Sequence, residues 1–82
     1  IFDKTDRDIF AYSSREGYFS LTVLTFRNGL LIGKKSWVNE IFFDIEEEIS
    51  NLIYQYYSSH SIPKEIIINS TYIIEQLNES ID

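Results

Sequence analysis

The sequence predicts a small α+β domain in which three antiparallel strands precede a helix, a fourth strand and a second helix. The first half of the chain is rich in β-branched and aromatic residues and contains two Gly-bearing turns, at 14–17 and 28–29. The second half contains two amphipathic segments on either side of a short apolar run. A strand between two helices must return to the sheet by a crossover, which gives an α/β-like second half and a mixed sheet.

The length and composition indicate one domain over residues 1–82. We expect it to be a fragment of a longer protein, because the chain begins at Ile1 and contains no Met. The lack of Cys excludes a disulfide framework and a thiolate metal site, and it fits a cytoplasmic location. No apolar stretch approaches the ~20 residues that span a bilayer. The net charge of −6 opposes long-range attraction to nucleic acid.

Strands are predicted over Asp8–Ser14 ("DIFAYSS"), Tyr18–Arg27 ("YFSLTVLTFR") and Leu30–Val38. Asn28-Gly29 separates the last two strands, and this pair is preferred in two-residue type I′ turns because both residues tolerate positive φ. The loop predicts the pairs Arg27–Leu30, Phe26–Leu31, Leu24–Gly33 and Thr22–Lys35. One face of the hairpin would then carry Phe26, Leu24, Leu31 and Trp37, and the other Val23, Thr25, Arg27, Ile32 and Lys34.

The first helix is predicted to begin after Asp44, which can act as its N-cap, with Glu47 completing a capping-box pattern. It should end near Ser58. Its apolar stripe consists of Ile45, Ile49, Leu52, Ile53 and Tyr56.

The short apolar run Glu65–Asn69 ("EIIIN") is typical of a buried parallel strand. Ser70 or Asn69 should cap a second helix, whose stripe consists of Ile73, Ile74, Leu77 and Ile81. This order of elements resembles the opening of the ribonuclease-H-like architecture, in which the fourth strand lies beside the first.

A nuclease of that architecture needs several carboxylates that converge on two Mg²⁺ ions. Asp8 lies only at the start of the first strand, and Glu65 lies at the edge of the fourth. We therefore predict no catalytic residue and no metal ligand. The alternating Asp3, Asp6 and Asp8 are interpreted as a solvated segment, and His60 as a surface or capping residue.

The clustered bases Arg27, Lys34 and Lys35, with Trp37 nearby, are the candidate contact residues. They could touch phosphate and stack a base. Neighbours in a strand point to opposite faces, so by the predicted register only Lys34 shares a face with Arg27. A solvated hairpin, a nucleic-acid contact and a contact with a neighbouring domain all remain open, the first being favoured.

Four stretches occur together in order: "REG" (15–17), "FRNGLLIGKKSW" (26–37), "QYY" (55–57) and "IPKEI" (62–66). This ordered set resembles the central homology region of the UvrC family, the incising component of the bacterial UvrABC excinuclease. The resemblance implies nucleotide excision repair, in which the family cuts a damaged strand on both sides of a lesion. It places the chain between the UvrB-binding hairpin and the catalytic ribonuclease-H-like domain.

The same resemblance implies partners and cofactors for the parent protein. The partners would be UvrB, the other domains of the parent and, through the full complex, damaged DNA, with no membrane. Mg²⁺ is expected for the parent nuclease and no cofactor for this segment. None of the family's catalytic motifs falls within these residues, so no catalytic residue is carried over, and whether the segment itself is an enzyme stays open. The alternative hypothesis is a protein-interaction module without any connection to a nuclease, for instance one that adds a strand to a partner's sheet.

Overall fold

A computed structural model describes residues 3–81, and within them a mixed sheet of four strands packs against two helices. The elements are β1 (Arg7–Arg15), β2 (Tyr18–Arg27), β3 (Leu30–Glu40), α1 (Ile45–Tyr57), β4 (Glu65–Ile68) and α2 (Thr71–Ile81). The strand order is β3-β2-β1-β4, with β4 parallel to β1 and the other pairs antiparallel. The predicted fold class, and the place of the fourth strand beside the first, are therefore confirmed.

Both hairpins turn through two residues with positive φ. Asn28 and Gly29 have φ values of 54° and 79°, as predicted for a type I′ turn. The first hairpin turns through Glu16 and Gly17, with φ values of 52° and 82°, and is tighter than the predicted turn at 14–17. The register of β1 against β2 follows from this tight turn, with Arg15 opposite Tyr18.

The predicted register of the second hairpin is wrong beyond its first two pairs. Arg27 faces Leu30 and Phe26 faces Leu31, but a β-bulge then shifts the pairing, so that Thr25 faces Gly33. A shift of one residue moves every later side chain to the opposite face. Trp37 thereby reaches the face covered by the helices, where its ring meets Tyr56 edge-on at 5.7 Å. The packing of this half-buried aromatic ring on Tyr56 favours the bulged register.

The helix caps agree with the sequence. The Asp44 carboxylate accepts a hydrogen bond from the Glu47 amide at 3.1 Å, and Ser58 closes α1. At α2 the Ser70 hydroxyl accepts from the Ile73 amide at 3.2 Å. The reciprocal acid at the start of α1 is Glu48 rather than Glu47, since its carboxylate accepts from the backbone amides of Phe42 and Phe43. These contacts fix where both helices begin.

The core lies between the sheet and the helices. The sheet contributes Phe10, Phe19, Leu21 and Val23, and the helices contribute Ile49, Ile53, Tyr57, Ile73 and Leu77. The predicted stripe of α1 packs on the core, which also takes up Tyr57, a residue outside that prediction. In the predicted stripe of α2, Ile73 and Leu77 are buried and Ile74 is half-buried, and the Ile81 side chain lies outside the described part. Within residues 3–81 no helix is both long enough and apolar enough to cross a membrane.

Candidate functional site

A buried carboxylate lies on β1 against the core. Asp8 is 0% exposed, and its neighbour on the same face of the strand is the core residue Phe10. The Oδ1 atom accepts a hydrogen bond from Nη1 of Arg27 at 2.8 Å, and Oδ2 accepts one from the Tyr57 hydroxyl at 2.6 Å. We refer to Asp8, Arg27 and Tyr57 as the Asp8 cluster.

Three elements bring the Asp8 cluster together. The tight first turn places Asp8 opposite Thr25, and Arg27 lies two residues farther along β2 on the same face. Tyr57 ends α1 and continues the buried row of Ile49 and Ile53 at intervals of four residues. The cluster therefore joins the last turn of α1 to both strands of the first hairpin.

Contact with Asp8 changes the pKa of both of its partners. The hydrogen bond to Asp8 raises the pKa of Arg27 above its usual value. Burial, and then the hydrogen bond to Asp8, raise the pKa of the Tyr57 hydroxyl well above its ordinary value of 10.0. Both oxygens of Asp8 are hydrogen-bonded and shielded from water, so the carboxylate ties the two strands to the end of α1.

The two other acids near the N-terminus, Asp3 and Asp6, each bind a different partner. Asp3 pairs with Arg7 at 2.7 Å, and Asp6 accepts a hydrogen bond from the Asn28 amide at 2.7 Å. The three alternating Asp residues therefore do not converge on one point. Across residues 3–81 no group of three or more His, Asp or Glu side chains is placed to hold a metal ion.

The four predicted contact residues, Arg27, Lys34, Lys35 and Trp37, do not form one continuous surface. Arg27 belongs to the Asp8 cluster, where its side chain is 27% exposed. Lys34 faces Leu24 on the opposite side of the sheet, so the prediction that Lys34 shares a face with Arg27 is wrong because of the bulge. Lys35 lies on the same face as Trp37, with its Nζ atom 5.1 Å from the ring centroid, a cation–π contact.

The structure thus brings Lys35 and Trp37 together, but not the three bases. Lys35 lies opposite Val23, four residues from Arg27, which corresponds to about 13 Å along the strand. A role of these four residues in contacting nucleic acid or a neighbouring domain stays a prediction.

His60 packs against the last turn of α1, just beyond the C-cap Ser58. Its ring stacks on Tyr56 with the centroids 3.9 Å apart, and Nδ1 lies 2.8 Å from the Tyr56 carbonyl oxygen. The exposed ring therefore serves a helix end, in agreement with the sequence-based interpretation.

The sequence reasoning missed the Asp8 cluster, although signals for it were present. A two-residue turn at Glu16-Gly17 would have set Asp8 opposite Thr25 and next to Arg27. The spacing of Ile49, Ile53 and Tyr57 would have placed the tyrosine on the buried side of the helix.

Comparison with known proteins identifies the family of this chain. Residues 6–81 match the family model described as the UvrC Ribonuclease H-like domain. The UvrABC system protein C of Malacoplasma penetrans (strain HF-2) is 30% identical over 81 residues, an alignment that covers 95% of this chain. The chain spans 14% of the length of that relative. With nearly all of its length matched by the family model, the chain belongs to the family of UvrC ribonuclease-H-like domains.

Proposed function

We propose that this chain is a non-catalytic structural segment of the UvrC component of a UvrABC excinuclease, which supports dual incision of damaged DNA in nucleotide excision repair. Membership of the family and the similarity to UvrABC system protein C support the repair context. The observation that carries the non-catalytic role is the state of Asp8. The carboxylate on β1 is buried and bonded to both Arg27 and Tyr57.

A two-metal nuclease requires carboxylates that are free to bind Mg²⁺ and substrate. In this proposal Mg²⁺ acts in the catalytic domain of the parent protein, and the present segment provides a rigid platform beside it. Its partners are UvrB, the other domains of the parent and, through the full complex, damaged DNA in the cytoplasm.

The direct test is cleavage of a lesion-containing DNA duplex by the purified chain in the presence of Mg²⁺. We expect no cleavage above the level seen with the Asp8→Asn variant, because Asp8 acts only within the fold. Thermal unfolding of both proteins, recorded in parallel, checks that each is folded. Mg²⁺-dependent cleavage that Asp8→Asn abolishes would contradict the proposal.

A secondary DNA contact is tested by binding to a duplex with a central bubble at increasing salt. Lys34 and Lys35 lie on opposite faces of the sheet, so a phosphate contact through either one predicts weak binding that falls with salt and is lost in Lys34→Ala/Lys35→Ala. Substitution of Arg27 is a poor test, because it also breaks the pair with Asp8. Binding that the double variant retains would remove these lysines from the proposal.

The alternative, a protein-interaction module, is supported by the edge strand β3, and the family of the chain makes a repair protein its expected partner rather than a protein unconnected with the nuclease. Leu30, Ile32 and Val38 on this strand are 66%, 62% and 70% exposed, and an open edge can pair with a partner's strand. Pairing of this kind predicts salt-insensitive binding to UvrB or to another domain of the parent. A proline placed in β3 should abolish it, and binding that survives the proline would exclude this mode.

A further inference from the structure

A cleft of about 470 Å³ lies between α1 and α2, apart from the Asp8 cluster. From α1 it is lined by Glu47, Ser50, Asn51 and Tyr54, and from α2 by Tyr72, Gln76 and Leu77. The lining offers a carboxylate, two amide groups and two tyrosine rings. No Lys or Arg is among the described residues of this lining.

Ser50 gives the cleft an unsatisfied polar group. Its residue is only 7% exposed, and its buried hydroxyl has no hydrogen-bond partner among the described residues. Buried hydroxyls are nearly always paired, and an unpaired one costs free energy. A donor seated in the cleft would supply the partner that this hydroxyl lacks.

The charge around the cleft favours a cation. Residues 36–63 contain five acids and no Lys or Arg. Three of these acids are engaged within the fold. Asp44 caps α1, Glu46 accepts from Tyr12 and Ser70, and Glu48 accepts from the amides before α1. The Glu47 side chain forms no ion pair within residues 3–81, so its carboxylate is available to a ligand.

The two tyrosines supply flat surfaces for that ligand. Tyr54 is 52% exposed and Tyr72 is 40% exposed, so both rings present area to solvent. An aromatic face attracts a cation, and a planar guanidinium can stack on it while its N–H groups reach acceptors at the side. A guanidinium carries five N–H donors, which suits a lining with a carboxylate, two amide oxygens and an unpaired hydroxyl.

We propose that the cleft between α1 and α2 binds an arginine side chain of a protein partner. Nucleic acid is a poor occupant, because its phosphates would meet the carboxylate of Glu47, the one charged side chain among the described lining residues. Lysine is a poorer ligand, because its compact ammonium neither stacks nor reaches several acceptors at once. The proposal does not depend on the repair function.

The test uses N-acetyl-arginine amide as the probe and the neutral N-acetyl-citrulline amide as its isosteric control. Titration into the isotopically labelled chain is followed by amide chemical shifts. We expect saturable shifts of Ser50, Asn51 and Gln76 with the arginine probe, with a dissociation constant on the order of 1 mM for one side chain. The citrulline amide, which lacks the charge, should bind at least about fivefold more weakly, and so should the corresponding lysine amide, which lacks the planar fork. Equal binding of either analogue, or shifts that map elsewhere, would overturn the proposal.

Two substitutions separate a binding role from a structural one. Glu47→Gln should weaken the arginine probe at least about fivefold, whereas Glu79→Gln, the same change on α2 outside the cleft, should leave binding unaltered. Ser50→Ala should lower affinity while the free energy of unfolding stays equal or rises, because it removes a hydroxyl that has no partner within the described part of the chain. A loss of affinity that merely follows a loss of stability, or no effect of Glu47→Gln, refutes the assignment.

Discussion

Two glycines with nearly the same φ have different surroundings. Gly17 has a φ of +82° and no atom within 4 Å of an added Cβ among the described residues. Gly29 has a φ of +79°, but there a Cβ would lie 2.5 Å from the carbonyl oxygen of Asp3. The segment before β1 therefore lies against the tip of the second hairpin, where the Asp6 carboxylate also holds the Asn28 amide. A side chain at Gly29 would push this segment away.

Comparison of Gly17→Ala with Gly29→Ala measures that close approach. Both variants carry the left-handed strain of a non-Gly residue, about 1–2 kcal/mol. Gly29→Ala should lose at least about 1 kcal/mol more, because backbone atoms must also move. Urea unfolding of the two variants and the parent chain gives the difference. Equal losses would mean that the N-terminal segment does not pack on the turn.

Arg27→Ala tests the buried ion pair. The variant would leave the Asp8 charge buried without its cation, so we expect a loss of about 2–4 kcal/mol in the free energy of unfolding. Arg15→Ala is the matched control. Arg15 is 89% exposed and lies 4.0 Å from Glu16, an arrangement that contributes little. Chemical denaturation distinguishes the two, and similar losses would show that Asp8 does not depend on Arg27.

At the scale of whole elements, local sequence signals predict where strands and helices begin and end, but not how β3 aligns. The caps at Asp44 and Ser70 and the Asn28-Gly29 turn depend on short-range chemistry, and the structure contains each of them. The bulge in β3 is favoured by the contact of Trp37 with Tyr56, a residue that is distant in sequence. The pair of Asp8 with Tyr57 likewise joins residues 49 positions apart. Contacts of this kind require the packed sheet and helix.

The entry into α1 depends on Glu48 rather than on the acid next to it. Its carboxylate accepts from the amides of Phe42 and Phe43 at 3.2 and 2.9 Å, which orders the loop before the helix. Glu48→Ala should therefore cost about 1–2 kcal/mol, as expected for the loss of a charged capping contact. Glu47→Ala, with the same helix propensity and the same loss of charge in the first turn, should cost less than about 0.5 kcal/mol. Urea denaturation curves for the two variants provide the measurement, and a reversed order would contradict the cap assignment.

On the scale of the whole molecule, the buried Asp8 cluster matters because the free energy of unfolding of so short a chain is small. A chain of this length is expected to unfold with a free energy of about 4–12 kcal/mol. The Asp8 cluster connects β1, β2 and α1, so its loss would affect the sheet and the helix together. The global stability of the chain should accordingly follow the protonation state of Tyr57, whose pKa is raised within this cluster.

Through Tyr57, the free energy of unfolding should depend on pH in the alkaline range. The folded protein raises the pKa of its hydroxyl above the ordinary value of 10.0, so the folded state holds this proton more tightly than the unfolded state. The resulting stability is fully present below pH 10 and is lost as pH rises above it, with a slope of up to about 1.4 kcal/mol per pH unit from this group.

Tyr57→Phe removes both the hydrogen bond to Asp8 and the titration. It should be less stable than the parent by about 1–3 kcal/mol at pH 7, and the difference should shrink above pH 10. Tyr54→Phe, at a site that is 52% exposed, is the control and should follow the parent at every pH. Urea unfolding at intervals from pH 7 to pH 11 measures the three curves, and a constant gap between Tyr57→Phe and the parent would show that the Tyr57 proton is not linked to folding.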